Sequence, residues 1–298
     1  MRVLVTGASG QVGSAVARHL VEEGHEVLGL SRGPIELPGL AGRLSVDIGT
    51  PDAADRIHSA AAPCEAIVHA AAARDTDLAA RSVSLTNCLG TQEMIAVAER
   101  WRVERFVYVS GVTVIGNPEV LPVTEEHAAS PRTAYHAAKL YGEYLVDIAG
   151  AGGLGAATLR LTAPVGPGTP RSRALAVFVR QALRDEPLNV LGNGTRRQDY
   201  VDVRDVAVAV DRCLRSRVGG RFNVGRGETI SNLELARTCV RVLDSRSHVE
   251  TGSAPDPEEG LAWEVSIARA RTELGYDPRC GLDDSIRAVA AEAAQADR

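Results

Sequence analysis

Short apolar runs recur along the first half of the chain, each followed by Gly, Ser, Asp or Pro. Runs at 2–6, 26–30, 43–46, 66–70, 105–109 and 156–161 predict strands, because a brief apolar run between turn residues suits a strand covered on both faces. Helix-length segments separate most of them. Within 12–23, Val12, Val16 and Leu20 recur four apart, and Gly24 follows Glu22 and Glu23 as a stop. Residues 134–149 put Leu140, Tyr144 and Ile148 on one stripe, with Tyr141 and Leu145 beside it, and 88–100 reads as another helix. Alternating strands and helices predict an α/β fold with a Rossmann-type, doubly wound parallel sheet that binds ligands at the carboxyl ends of its strands.

The pattern changes after residue 162. Pro164 to Pro170 reads as a loop, 173–185 as a helix and 188–191 as a short strand. Helices are expected at 203–216, 231–243 and 282–296, and 251–260 as an exposed, mobile loop. The 298 residues, 45% hydrophobic, suffice for one large α/β unit with or without a subdomain. A net charge of −5 with no basic stripe argues against nucleic acid as a partner. The N-terminus opens on a strand-like run and not on a secretory leader, and no run of eighteen apolar residues predicts a membrane span. These features suggest the cytoplasm. The five cysteines and seven histidines are dispersed, with no metal-ligand or disulfide spacing, so no metal site is expected.

Thr6-Gly7-Ala8-Ser9-Gly10-Gln11-Val12-Gly13 lies between the first strand and the first helix. Gly7 permits a tight turn, Gly10 close backbone approach, and Gly13 close packing of helix on strand. The free N–H groups of the helix start suit a pyrophosphate. About twenty positions on, Ser31 stands where an acid would bind the ribose 2′-hydroxyl, and Arg32 follows. Ser31 does not repel a 2′-phosphate and Arg32 can pair with one, which favours NADP over NAD. Tyr135 and Lys139, four apart near a helix start, project from one face. A neighbouring ammonium favours tyrosinate, so Tyr135 can exchange a proton with a carbonyl or alcohol oxygen.

With these residues in place, the sequence resembles the extended short-chain dehydrogenase/reductases, the NAD-dependent epimerase/dehydratase family. The likeness extends through Val46-Asp47-Ile48, Val68 to Ala72, Asn87 to Thr91, Phe106 to Gly116, Arg160 to Gly168, Asp199 to Ala207 and Phe222 to Gly225. It implies a dinucleotide-binding core over 1–162, with returning segments at about 199–225, and a mainly substrate-binding lobe over 163–298. It places the cofactor against Gly7, Ser9, Gly10, Gln11, Val12, Gly13, Ser31, Arg32, Asp47, Ile48, Ala70, Ala71, Ala72, Asn87, Tyr135, Lys139 and Pro164. It also implies a small-molecule substrate and a homodimer formed through 88–100 and 134–149.

Three departures bear on chemistry. The family's catalytic Ser or Thr position is Gly111 here, which leaves Thr113, our preferred stand-in, or Ser110 to hold the substrate oxygen. Val112 and Thr113 stand where family dehydratases have acids, which disfavours loss of water. Ala163 and Gln198 replace the Asn and Arg that serve a sugar diphosphate. The sequence therefore reads first as an NADP(H)-dependent carbonyl reductase or alcohol dehydrogenase for a small organic molecule. A nucleotide-sugar epimerase or 4-ketoreductase is the alternative, and a non-catalytic cofactor-binding protein the second. Arg171, Arg173, Arg196 and Arg197 are candidates for an anionic substrate. His69 is expected beside the cofactor strand, His136 in solvent, and Trp101 and Trp263 in packing.

Overall fold

The computed structural model describes residues 1–75, 81–252 and 254–296. The chain begins with β1 (Arg2–Thr6), α1 (Gln11–Glu22), β2 (Glu26–Ser31), β3 (Gly42–Ser45), α2 (Ala53–Ala60) and β4 (Ala66–His69). Next come the short α3 (Arg81–Val83), a π-helical stretch (Ser84–Leu89), α4 (Gly90–Trp101), β5 (Arg105–Gly111), a 3-10 turn (Val112–Ile115), α5 (Ala134–Ala151) and β6 (Ala156–Leu161). After these lie β7 (Ala163–Val165), α6 (Ala174–Leu183), β8 (Leu188–Val190), β9 (Arg197–Asp202), α7 (Val203–Arg215) and β10 (Gly220–Val224). The remainder is β11 (Thr229–Ser231), α8 (Asn232–Val242), β12 (Val249–Thr251), α9 (Ala268–Leu274) and α10 (Leu282–Ala296).

Seven strands form one parallel sheet in the order β10-β6-β5-β4-β1-β2-β3. The chain winds outward from β1 in both directions, so a crevice opens between the carboxyl ends of β1 and β4. Alternate residues of β1 feed opposite faces. Val3 and Val5 join Val16 and Leu20 of α1 and Val206 and Val210 of α7. Leu4 joins Ile67, Met94, Val97 and Phe106 on the other face. A separate cluster of Leu175, Val179, Leu235 and Ile286 holds the later helices together.

Two sequence expectations change. The segment 164–170 is not all loop, since β7 pairs with β9 through Ala163 and Tyr200. Most of 251–260 is tied down: β12 ends at Thr251, and the Glu259 carboxylate accepts from the backbone N–H of Asn193 at 2.8 Å and of Thr195 at 3.1 Å. Ser253 lies outside the described residues. The apolar stripe of α5 faces outward, with Tyr144 52% and Ile148 68% exposed. Its inner face carries Ala138, Lys139, Gly142, Glu143 and Val146. Gly142 lets the helix lie on β5, because a Cβ there would run into the Tyr108 hydroxyl.

Glu143 faces inward because it has partners there. Arg160 of β6 donates to it from Nε at 3.0 Å and from Nη2 at 2.7 Å, and Ser110 of β5 donates from Oγ at 2.6 Å. Both charged side chains are at most 1% exposed. Removing one member strands the other charge in the core, at a cost of about 3–5 kcal/mol. Glu143→Leu is therefore expected to lower unfolding free energy by that amount, with Glu143→Leu/Arg160→Met losing less than the single change. Denaturant titration of the three proteins checks the order.

Candidate active site

The turn from β1 to α1 forms the floor of a cleft of about 910 Å³ at the sheet's carboxyl edge. Gly7 has φ of +67°, and a Cβ on it would lie 2.8 Å from the Ala71 backbone. A Cβ on Gly13 would run into the Gly7 carbonyl oxygen. Only glycine lets strand, turn and helix lie this close. Helix α1 opens on Gly10 with no side-chain cap and no acid in its first turn. Its first N–H groups are thus left for an anion. Ser9, Gly10, Gln11, Val12 and Gly13 all line the cleft. The Gln11 amide donates to Thr169 Oγ1 at 3.1 Å and, more weakly, to the Pro164 carbonyl at 3.4 Å, which ties the loop after β7 to this helix.

Ser31, Arg32, Asp47 and Ile48 line one end of the cleft, and Ala70, Ala71, Ala72 and Pro164 line its middle. Ser31 donates its hydroxyl to the Gly33 carbonyl. Among the described residues the Arg32 guanidinium has no carboxylate within ion-pair distance. Asn87 differs from expectation because both ends of its amide are taken. Its Oδ1 accepts from Ala73 N at 2.8 Å, and its Nδ2 donates to Ala73 O at 2.9 Å. It braces the segment after β4 and is not part of the wall. His69 is fully buried between the hydroxyls of Thr6, at 2.8 Å, and Thr91, at 3.1 Å. Burial holds its pKa down to about 3, so it is a neutral brace.

Tyr135 and Lys139 enter the opposite end from the first turns of α5, which is capped by the Thr133 side chain. The Lys139 ammonium donates to the Val109 carbonyl at 2.8 Å and sits 4.8 Å from the centre of the Tyr108 ring. Burial first, then Arg74, pushes its pKa down to about 7, opposed by Glu143. Burial raises the Tyr135 pKa. The cations that oppose this are Arg74, which also hydrogen-bonds the phenol, and Arg173. The sequence reading assigned that role to Lys139, whose charge here is turned toward β5.

Gly111 and Thr113 both line the cleft, and a Cβ on Gly111 would lie 3.4 Å from Thr113 Oγ1. The threonine hydroxyl thus occupies the space next to the missing side chain. Ser110 contributes to the wall, but its hydroxyl is committed to Glu143, which removes it as a hydrogen-bond donor to substrate. His136 is not in open solvent. It lines the cleft edge-on to Tyr135 with a ring separation of 5.8 Å, and its Nδ1 is buried without a partner. Trp101 packs as expected, and Trp263 both packs and walls the cleft. Arg173 and Arg196 reach the cleft, whereas Arg197 is held by Thr229 and Glu234, and Arg171 lies outside the wall.

Arg74 and Glu258 also line the cleft and were missed in sequence. Arg74 follows the alanines that end β4, a carboxyl-end position where ligand contacts are expected. Glu258, paired with Arg196 at 2.6 Å, sits in a stretch whose composition reads only as loop. The cap-free helix start, the glycine cradle and the paired Tyr135 and Lys139 fit a nicotinamide dinucleotide stretched along the cleft.

Residues 3–225 match the model of the family described as "NAD dependent epimerase/dehydratase family". A dTDP-glucose 4,6-dehydratase of Streptomyces niveus is 29% identical, over 96% of this chain and 90% of its own. A UDP-glucose 4-epimerase of Mycolicibacterium smegmatis is 30% identical, over 96% of each. Among solved structures, a UDP-glucose-4-epimerase from Stenotrophomonas maltophila with bound NAD and formylated UDP-arabinopyranose superposes with a TM-score of 0.88 at 26% identity, covering all of both chains. A glycine cradle and a tyrosine–lysine helix facing each other across one Rossmann cleft therefore have a family to go with them, and this chain belongs to it: the NAD dependent epimerase/dehydratase family of extended short-chain dehydrogenase/reductase enzymes.

Proposed function

We propose that this enzyme oxidises and re-reduces a hydroxyl-bearing carbon of a nucleotide sugar, as a 4-epimerase, with a one-way ketoreductase as the nearest variant. The observation that carries the reading is the Tyr135–Thr113 pair of hydroxyl groups in one cleft with the cradle of α1. The relatives' names support a sugar nucleotide over the small carbonyl compound favoured by the sequence alone. The acids in the cleft wall support epimerisation over loss of water. Asp199 is taken by the N–H groups of Arg226 and Gly227, Glu258 by Arg196, and Asp47 lies at the far end. Arg196, two residues before Gln198, brings a cation into the cleft beside the altered diphosphate positions.

A bound nicotinamide dinucleotide supplies hydride exchange. The chain's own groups handle the proton and the oxygen. Tyr135 takes the proton from the substrate hydroxyl and returns it, while Thr113 hydrogen-bonds the same oxygen. Arg74 and Arg173 stabilise the phenolate that forms between these transfers. Lys139, fixed by the Val109 carbonyl and with its pKa brought down to about 7, contributes a partial positive charge to the floor of the site near neutral pH. The outward Tyr144 and Ile148 of α5, with Leu85 46% exposed nearby in sequence to α4, support a homodimer.

Incubation of the NAD-loaded protein with UDP-glucose or UDP-galactose should give the other isomer with no net change in cofactor absorbance. Stoichiometric cofactor consumption without isomerisation would make it a ketoreductase, and no reaction with any nucleotide sugar would end the reading. Tyr135→Phe is expected to lower turnover by roughly 10²–10⁴ with nucleotide affinity unchanged. Thr113→Val should lower it more than Ser110→Ala does.

Cofactor choice has its own measurement. The NAD-bound neighbour supports NAD, and the acid-free ribose end at Ser31 and Arg32 supports NADP as well. Arg32→Ala is expected to weaken NADP binding by about 1–3 kcal/mol, that of a charge-assisted contact, and to leave NAD unaffected. Calorimetric titration of both nucleotides decides it, and equal responses would leave NAD alone.

A further inference from the structure

At the reacting end of the cleft, two guanidinium groups carry more positive charge than the single phenolate of Tyr135 can offset. Arg74 from the segment after β4 and Arg173 from the start of α6 both line the wall around Tyr135. Each guanidinium acts on the phenol and on the other, so two like charges have been brought together. Lys139, with its pKa brought down to about 7, adds part of a further charge in the floor. Such a group is costly unless an anion completes it.

Among the described residues no acid supplies that anion. Among the described residues neither Arg74 nor Arg173 has a carboxylate within ion-pair distance. Elsewhere the chain pairs its arginines readily, as in Arg196–Glu258, Arg204–Asp202 and Arg241–Asp283. Nor are the nearby acids free: Glu143 is consumed by Arg160 and Ser110, and Asp199 by backbone N–H groups. The cofactor's own phosphates have the start of α1, and Arg196, in the same wall and within reach of Arg173, is paired with Glu258.

We infer that Arg74 and Arg173 form an anion site for the sugar itself, and that the substrate is a nucleoside-diphosphate hexuronate. The inference rests on the reading of the cleft as a nucleotide-sugar redox site. In a hexuronate the carboxylate is carried on C5, the neighbour of the C4 carbon whose hydroxyl meets Tyr135. A guanidinium beside the phenol therefore reaches a carboxylate one carbon from the reacting centre. The planar two-oxygen group matches the guanidinium fork. A neutral hexose offers a hydroxymethyl group there and leaves both cations without a counter-charge.

The test compares UDP-glucuronate with UDP-glucose on the full-length, NAD-loaded protein, in the unmodified form and as Arg74→Gln, Arg173→Gln and Arg74→Lys. Thermal melting confirms that each variant folds. The unmodified protein should favour the uronate in kcat/KM by about tenfold or more, the scale of one charge-assisted contact. Either glutamine variant should slow both sugars, because both arginines face the phenolate of Tyr135, and should slow the uronate further so that the ratio falls near one, while Arg74→Lys should recover part of it. No preference, or a preference unchanged in both glutamine variants, overturns the inference and leaves the proposed reaction standing if UDP-glucose is epimerised. If neither sugar is epimerised, the proposed reaction falls. Calorimetry with UDP-glucuronate and with free glucuronate then judges the anion site alone: binding lost in Arg74→Gln supports it, and no binding of either overturns it.

Discussion

The buried bond between Arg160 and Glu143 ties α5 to two strands that the sheet already pairs. Ser110 brings in β5, Arg160 brings in β6, and Glu143 brings in α5, the helix that bears Tyr135 and Lys139. Arg160 also donates to the Glu125 carbonyl at 3.3 Å, while Asn223 N donates to Glu125 Oε1 at 2.8 Å, which links β10. Hydrophobic packing is indifferent to small sliding motions, whereas a carboxylate with three donors has one good position. The register of α5 on the sheet is therefore set by polar contacts, at a depth where an imperfect fit is expensive.

On the other side of the cleft the constraint is steric. Gly7 and Gly13 bring β1, its turn and α1 within van der Waals contact of one another and of Ala71. The cradle is thus built of backbone, and its donors hold their direction without side-chain entropy. The two walls differ in kind: one is fixed by glycine contacts, the other by a charged network. The Tyr135 phenol and the α1 start keep their spacing only while both hold.

The alternation of strands and helices was legible because both faces of the parallel sheet are covered, so each strand reads as a short apolar run. The glycine turn and Tyr135 with Lys139 were legible because their chemistry depends on local spacing. What failed depended on distant partners. The apolar stripe of α5 gave the helix but not the face it buries, since Glu143 and Lys139 are drawn inward by Arg160 and by the Val109 carbonyl. Ser110 reads as a candidate hydroxyl until Glu143, thirty-three residues on, takes it. Asn87 reads as a cofactor contact until both ends of its amide are found on Ala73. Arg74 carries no motif, and only the fold brings it to Tyr135.

Gly142 shows what such a scaffold means for the tolerance of the sequence to change. It touches neither cradle nor substrate groups, yet α5 lies against β5 only because nothing projects from it toward Tyr108. A methyl group there would lever the helix away from the strand, and Tyr135 two turns earlier would travel with it. In a screen of random variants this glycine would score with the catalytic residues, although its entire contribution is the absence of a side chain.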